Sequence, residues 1–249
     1  MTAWLAGGTV LLSLLLNALA GAARTPTMSA LEAFAQRLQR ACQAYEKVND
    51  YTATLHVQER FDDRLNPPAR GLLKFRKPFS VYLKWESGPN AGVQVLYVRG
   101  AHEGRVLVRP AGLLGLKTFR LVPTGSLAMR GNRHPVTETG IGSMIQVLET
   151  NRRRAVAEGR AQVVCLPTSP DAEPPGVRFE LTVTGRETPG YYCRRAVVTF
   201  DEKTGLLIAA QAYDWNNRLI EDYRFLDLRT NVGLTDRDFD PANPAYKFE

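Results

Sequence analysis

From Leu73 to Trp85 the chain alternates. Leu73, Phe75, Phe79, Val81, Leu83 and Trp85 are apolar or aromatic at odd positions, while Lys74, Arg76, Ser80 and Lys84 are polar at even ones and Tyr82 is amphipathic. A period of two marks a strand with one greasy and one wet face. The run Leu72–Glu86 is long against a typical strand of about 5–6 residues, Pro78 within it predicts a bulge or an edge position, and the run is counted as a pair of strands around Pro78. The expectation is that Leu73, Phe75, Val81, Leu83 and Trp85 face inward and that Lys74, Arg76 and Lys84 face outward. Tyr51–Phe61 alternates as well, with Tyr51, Ala53, Leu55, Val57 and Phe61 assigned to one side. Val177, Phe179, Leu181 and Val183 repeat the pattern, and further strands are predicted at Val93–Val98, Arg105–Val108, Arg194–Phe200, Leu206–Tyr213 and Leu219–Leu226.

Two stretches follow a helical period instead. Ser29 and Glu32 form a capping-box pair ahead of Leu31, Phe34, Leu38, Cys42, Tyr45 and Val48, spaced three and four apart. Ile141–Ala157 carries Ile141, Met144, Ile145 and Leu148, with Arg152, Arg153 and Arg154 near its end, where cations suit the helix dipole. Gly140-Ile141-Gly142 reads as the tight approach into this second helix. Residues 110–135 are rich in Gly and Pro and follow neither period. The order is one helix, about five strands, one helix and about four strands. It has no strand–helix–strand rhythm, which excludes a doubly wound parallel sheet. It predicts a mainly β (α+β) fold in which an antiparallel sheet has its apolar face covered by helices. No linker or repeat divides the body, so residues 24–249 are expected to form a single domain.

Residues Trp4–Ala23 carry no charge and end in a small-residue stretch before Arg24. Residues 1–23 are expected to be a cleaved signal peptide that sends the body to the periplasm; the alternative is a retained inner-membrane anchor over residues 4–23. Export permits disulfides. Cys165 and Cys193 lie in strand-like segments and are the expected pair, leaving Cys42 free. The net charge is +7 and unevenly placed. Residues 1–150 hold 18 Lys+Arg against 10 Asp+Glu, and residues 151–249 hold 14 against 15. A basic half fits an anionic membrane surface or an acidic envelope protein. Nucleic acid is not expected for an exported chain without a nucleic-acid motif.

Candidate chemistry is sparse. His134 and Glu138 are four apart, but Pro135 and the β-branched pair Val136-Thr137 oppose a helix there and no third ligand is near in sequence, so no metal and no cofactor are expected. There is no G-x-S-x-G, and Cys42 has no nearby His. Asp236, Asp238 and Asp240 read as a polar chain end rather than a calcium loop. No catalytic residue is assigned, and the chain is not expected to be an enzyme.

Asp50-Tyr51-Thr52-Ala53, Gln58-Glu59-Arg60, the stretch Leu73–Trp85, Leu96-Tyr97-Val98, the stretch Arg133–Gly142 and Asp238-Phe239-Asp240-Pro241-Ala242-Asn243-Pro244 resemble an uncharacterised bacterial exported family (DUF1571), grouped with the LolA-like outer-membrane lipoprotein carriers and sorting domains. The resemblance spans residues ~30–247. It implies a curved sheet forming an incomplete barrel with covering helices, whose concave face shelters a lipid or lipoprotein acyl chain. For this chain it implies a ligand-facing set of Leu73, Phe75, Leu83, Trp85, Phe179 and Leu181, with Phe34, Leu38 and Tyr45 of the first helix as a lid. A scaffold or envelope sensor with a filled core, acting through protein contacts, is the rival expectation. Leu83→Glu separates the two: in a hydrated slot the charge spoils uptake and spares the fold, whereas in a filled core it unfolds the domain.

Overall fold

The computed structural model describes residues 28–112, 117–167, 173–246 and 248. The stretch expected to be a signal peptide or anchor lies outside them. Among the described residues no helix is long and apolar enough to cross a membrane.

Helix α1 spans Ala30–Glu46. Ser29 caps it: its hydroxyl accepts from the Glu32 amide at 3.2 Å, and the Glu32 carboxylate accepts the Ser29 amide at 2.8 Å. Strands β1 (Asp50–Phe61), β2 (Arg64–Leu65), β3 (Ala69–Arg76), β4 (Ser80–Ser87), β5 (Gln94–Val98), β6 (Val106–Arg109) and β7 (Phe119–Leu121) follow. Helix α2 (Ile141–Ala157) leads to β8 (Ala161–Leu166), β9 (Val177–Val183), β10 (Arg195–Phe200), β11 (Leu207–Tyr213) and β12 (Leu219–Thr230). All pair antiparallel in one sheet ordered β7-β6-β5-β4-β3-β1-β12-β11-β10-β9-β8, with β2 a side hairpin on β1. Among the described residues the path has two free ends, β7 and β8, so the barrel is incomplete, as the family resemblance implies.

The long run Leu72–Glu86 is the expected pair of strands around Pro78. It folds back at Lys77-Pro78-Phe79, and β3 pairs with β4 in a register that sets Leu73 against Leu83 and Phe75 against Val81. Odd residues oppose odd residues, so the alternation passes through the turn without changing face. The inner face is therefore continuous across the hairpin. Leu73, Phe75, Val81 and Leu83 are buried, Trp85 is half-buried and Lys84 is exposed.

The expected polar face is not uniformly wet. Tyr82, Leu96 and Leu107 are buried on the outer side under Phe239, Tyr246 and Phe248 of the C-terminal segment. Tyr82 and Tyr246 stack at 3.8 Å. Asp238 pairs with Lys74 at 2.7 Å, and Asp236 with Arg76. Asp236 and Asp238 of this polar chain end tie the segment to β3.

On the concave side α1 lies against β8 and α2. Phe34 is fully buried, its ring 5.5 Å from Phe179 and 6.1 Å from Phe200. Gly140 and Gly142 are needed where α2 begins. A Cβ on Gly140 would come 2.8 Å from the Tyr51 hydroxyl, and one on Gly142 would come 2.6 Å from the Tyr45 ring. The Tyr51 hydroxyl accepts the Ile141 amide there at 3.2 Å, which seats the helix on the sheet.

The three cysteines are free thiols, not a bridge and a remainder. Cys165 pairs with Phe179 on β9 and is exposed. The β9–β10 register, continued, puts the buried Cys193 opposite Thr184. A five-residue offset is about 17 Å along a strand, against a Cα limit of about 7 Å for a disulfide.

Candidate functional site

A cavity of about 430 Å³ opens on the concave face, within the range of about 300–1,000 Å³ usual for small-molecule sites. Leu83 and Trp85 of β4, Val95 of β5, Val106 and Val108 of β6 and Leu121 of β7 form one wall. Leu55 and Val57 of β1 and Phe225 of β12 form the floor, and Ala196, Ala210 and Ala212 line the far side. Met144, Val147 and Leu148 of α2 and residues 123–140 cover it. Small residues make the space. Gly71 sits between Leu55 and Trp85 in the ladder, and a Cβ there would come 2.7 Å from the Lys84 carbonyl and 3.1 Å from the Trp85 ring.

Polarity changes along the floor. In the β1–β12 ladder Leu55 faces Phe225, Val57 faces Tyr223 and Glu59 faces Glu221. Over about 13 Å the surface passes from aliphatic and aromatic carbon to two opposed carboxylates. Like charges directly opposite in a sheet are unfavourable, so both are compensated. Tyr223 donates its hydroxyl to Glu59, and Tyr192 donates to Glu221. The Arg133 amide donates to Glu59 Oε2 at 3.1 Å. His134 Nε2 lies 3.1 Å from Glu221 Oε2 and 2.9 Å from the Tyr192 hydroxyl, and its Nδ1 lies 3.0 Å from Glu138 Oε2.

The hydrogen bond to Glu221 raises the His134 pKa to about 9, with Glu138 and Glu59 adding to the effect against burial. His134 is therefore an imidazolium at neutral pH, a fixed cation among three carboxylates. Burial, then the nearby Glu221 charge, pushes the Tyr192 phenol far above its ordinary value, and burial does the same to Tyr223. Both stay neutral hydrogen-bond donors.

Local structure positions these groups. Asn151 of α2 accepts the Tyr192 amide at 3.1 Å and donates to the Cys193 carbonyl at 3.4 Å, which fixes the turn before β10. Arg133 reaches the Arg60 carbonyl at 3.2 Å, and Asn66 donates to the Gly131 carbonyl at 3.3 Å, which tie the covering loop to the end of β1.

Of the residues expected to face a ligand, Leu83 and Trp85 line the cavity. Leu73, Phe75, Phe179, Leu181, Phe34 and Leu38 are buried in the packed core instead, and Tyr45 packs half-buried beside it. The lid over the hollow is α2 and the loop 123–140, whereas α1 fills its own half of the sheet. Sequence reasoning missed Glu59, Tyr192, Glu221 and Tyr223. One signal was available: Glu59 continues the parity of Tyr51, Ala53, Leu55 and Val57, and it is 6% exposed, whereas Phe61 is 37% exposed. A charge at a core-facing parity marks a site. His134 and Glu138 do meet, and their further partners come from β1 and β12.

Fold and cavity together define an open antiparallel half-barrel with an amphipathic hollow on its concave face. The chain belongs to the family described as "Protein of unknown function (DUF1571)", which matches residues 48–248. No curated protein matches the sequence. Among solved structures, MucB aligns with a TM-score of 0.48 at 15% identity, over 83% of this chain and 62% of that one. This chain thus spans less than two thirds of MucB. The lipoprotein LppX of Mycobacterium tuberculosis aligns with a TM-score of 0.47 at 12% identity, over 84% and 98% of the two chains. A LolA superfamily protein from Nitrosomonas europaea aligns with a TM-score of 0.34 at 12% identity, over 86% and 98%.

Proposed function

We propose that this protein is an exported, non-enzymatic binding domain, acting as one unit over residues 24–249, that holds the acyl chain of a lipid or lipoprotein. The observation that carries this reading is the graded cavity, carbon-lined at Leu55, Leu83, Trp85 and Phe225 and acid-lined at Glu59 and Glu221. Burial of a chain contributes about 0.8 kcal/mol per CH₂, so a hollow of this size supports useful affinity. The polar end orients the head group. Export rests on the apolar segment before Arg24, and the basic first half suits an anionic membrane surface.

The test is uptake of a fluorescent fatty acid by the purified mature chain, with native mass spectrometry of protein taken from bacterial envelopes. Stoichiometric uptake, abolished by Ala210→Phe in a protein with unchanged circular dichroism, is expected. An empty protein that takes up no probe overturns the reading.

A second reading, a scaffold acting through protein contacts, is favoured by one feature. Phe119, Val122 and Leu127 expose 45%, 45% and 69% of their surface beside the cavity, an apolar rim suited to a partner segment. A bound polypeptide in place of lipid in the native mass spectrum decides for it.

A further inference from the structure

Glu59, His134 and Glu221 each offer a donor atom, and these atoms lie within 4.8 Å of one another. We propose that the three residues form a binding site for a divalent metal ion of the zinc class, with its open coordination position facing the cavity. This goes beyond the acyl-chain reading and does not depend on it. One imidazole and two carboxylates are a donor set suited to zinc, which takes three protein ligands and keeps a fourth position for water or ligand. Ligand bonds of about 2.0–2.2 Å place tetrahedral donors about 3.4 Å apart, so the set closes on the ion by small side-chain rotations.

The surroundings match what holds metal ligands in place. His134 Nε2 points at Glu221, while its other nitrogen is engaged by the Glu138 carboxylate at 3.0 Å. A carboxylate behind the ligating imidazole fixes its orientation and raises its basicity. Tyr223 and Tyr192 donate to the two carboxylates and orient them. The acids are not a solvated surface cluster: Glu59 is 6% exposed, and the Glu221 side chain 13%.

The experiment uses the mature chain carrying Cys165→Ser, to remove the exposed thiol, stripped with chelator and titrated with Co²⁺ and Zn²⁺. The expected result is one ion per chain, visible Co²⁺ ligand-field bands without thiolate charge transfer, and displacement of Co²⁺ by Zn²⁺. Glu221→Gln and His134→Gln are each expected to weaken binding by at least about tenfold. Zinc-soaked crystals of the unmutated chain are expected to show an anomalous peak between the three residues, a readout that survives any folding defect in the variants. Absence of that peak, or binding unchanged in both variants, overturns the proposal and leaves His134 as the permanent counter-ion of the acids.

Discussion

The two halves of the concave face are built from the same alternating strands and end differently. Under α1, Phe34, Phe179 and Phe200 interlock as tilted and edge-on rings 5.5–6.2 Å apart, and Leu38 and Leu181 close the remaining space. Beside it, Gly71, Ala196, Ala210 and Ala212 leave room, and α2 with the loop 123–140 covers the hollow without filling it. Apolar side chains line both halves. Side-chain volume and the shape of the cover decide which becomes core and which becomes cavity.

That contrast can be broken by truncation on each side. Phe34→Ala opens a void in the interlocked half and is expected to cost about 3–5 kcal/mol in chemical denaturation. Val108→Ala only enlarges a hollow that already exists and should cost about 1 kcal/mol. Equal losses at the two positions would mean that the hollow is closed in solution. A third surface calibrates the pair. Tyr246→Ala strips the outer sheet face of its stacked cover over Tyr82 and is expected to cost about 2–3 kcal/mol, measured in the same way.

Filling is the converse of truncation. A bulky side chain introduced into a packed core usually costs about 1–3 kcal/mol. Ala210→Phe points into free volume instead and is expected to change stability by under about 1 kcal/mol while abolishing fatty-acid uptake. A large loss of stability would place Ala210 in the packed half.

The smallest effect is kinetic. Native thiol labelling should modify the exposed Cys165 first and Cys42 more slowly, its thiol pKa raised by burial. Cys193 should react last, because burial pushes its thiol up to about 12 and the thiolate is the reactive species. Three thiols should be counted after unfolding without reductant; a count of one would restore the Cys165–Cys193 bridge.

Much of this architecture is legible in the chain. Period-two runs mark the strands and their inner faces, and Ser29 with Glu32 marks the start of α1. Pro78 marks the division of the long run into two strands, although a hairpin of matched parity leaves the alternation intact. The acid pair is hidden because Glu59 and Glu221 are 162 positions apart and become neighbours only in the β1–β12 ladder. His134 and Glu138 alone are an unremarkable spacing.

By itself, then, the sequence determines which side chains face inward, because side-chain direction follows local backbone geometry. It determines where α1 begins, through the Ser29–Glu32 capping box within its first turn. Only the tertiary structure decides that α1 packs down on its half while α2 and a loop bridge the other, since that depends on how volumes from distant strands add up. It alone places two carboxylates, an imidazolium and two neutral phenols at one end of an apolar hollow. No local rule brings those residues together; the ladder between the first strand and the last does so for Glu59, Glu221 and Tyr223, and the covering loop and the turn before β10 add His134 and Tyr192.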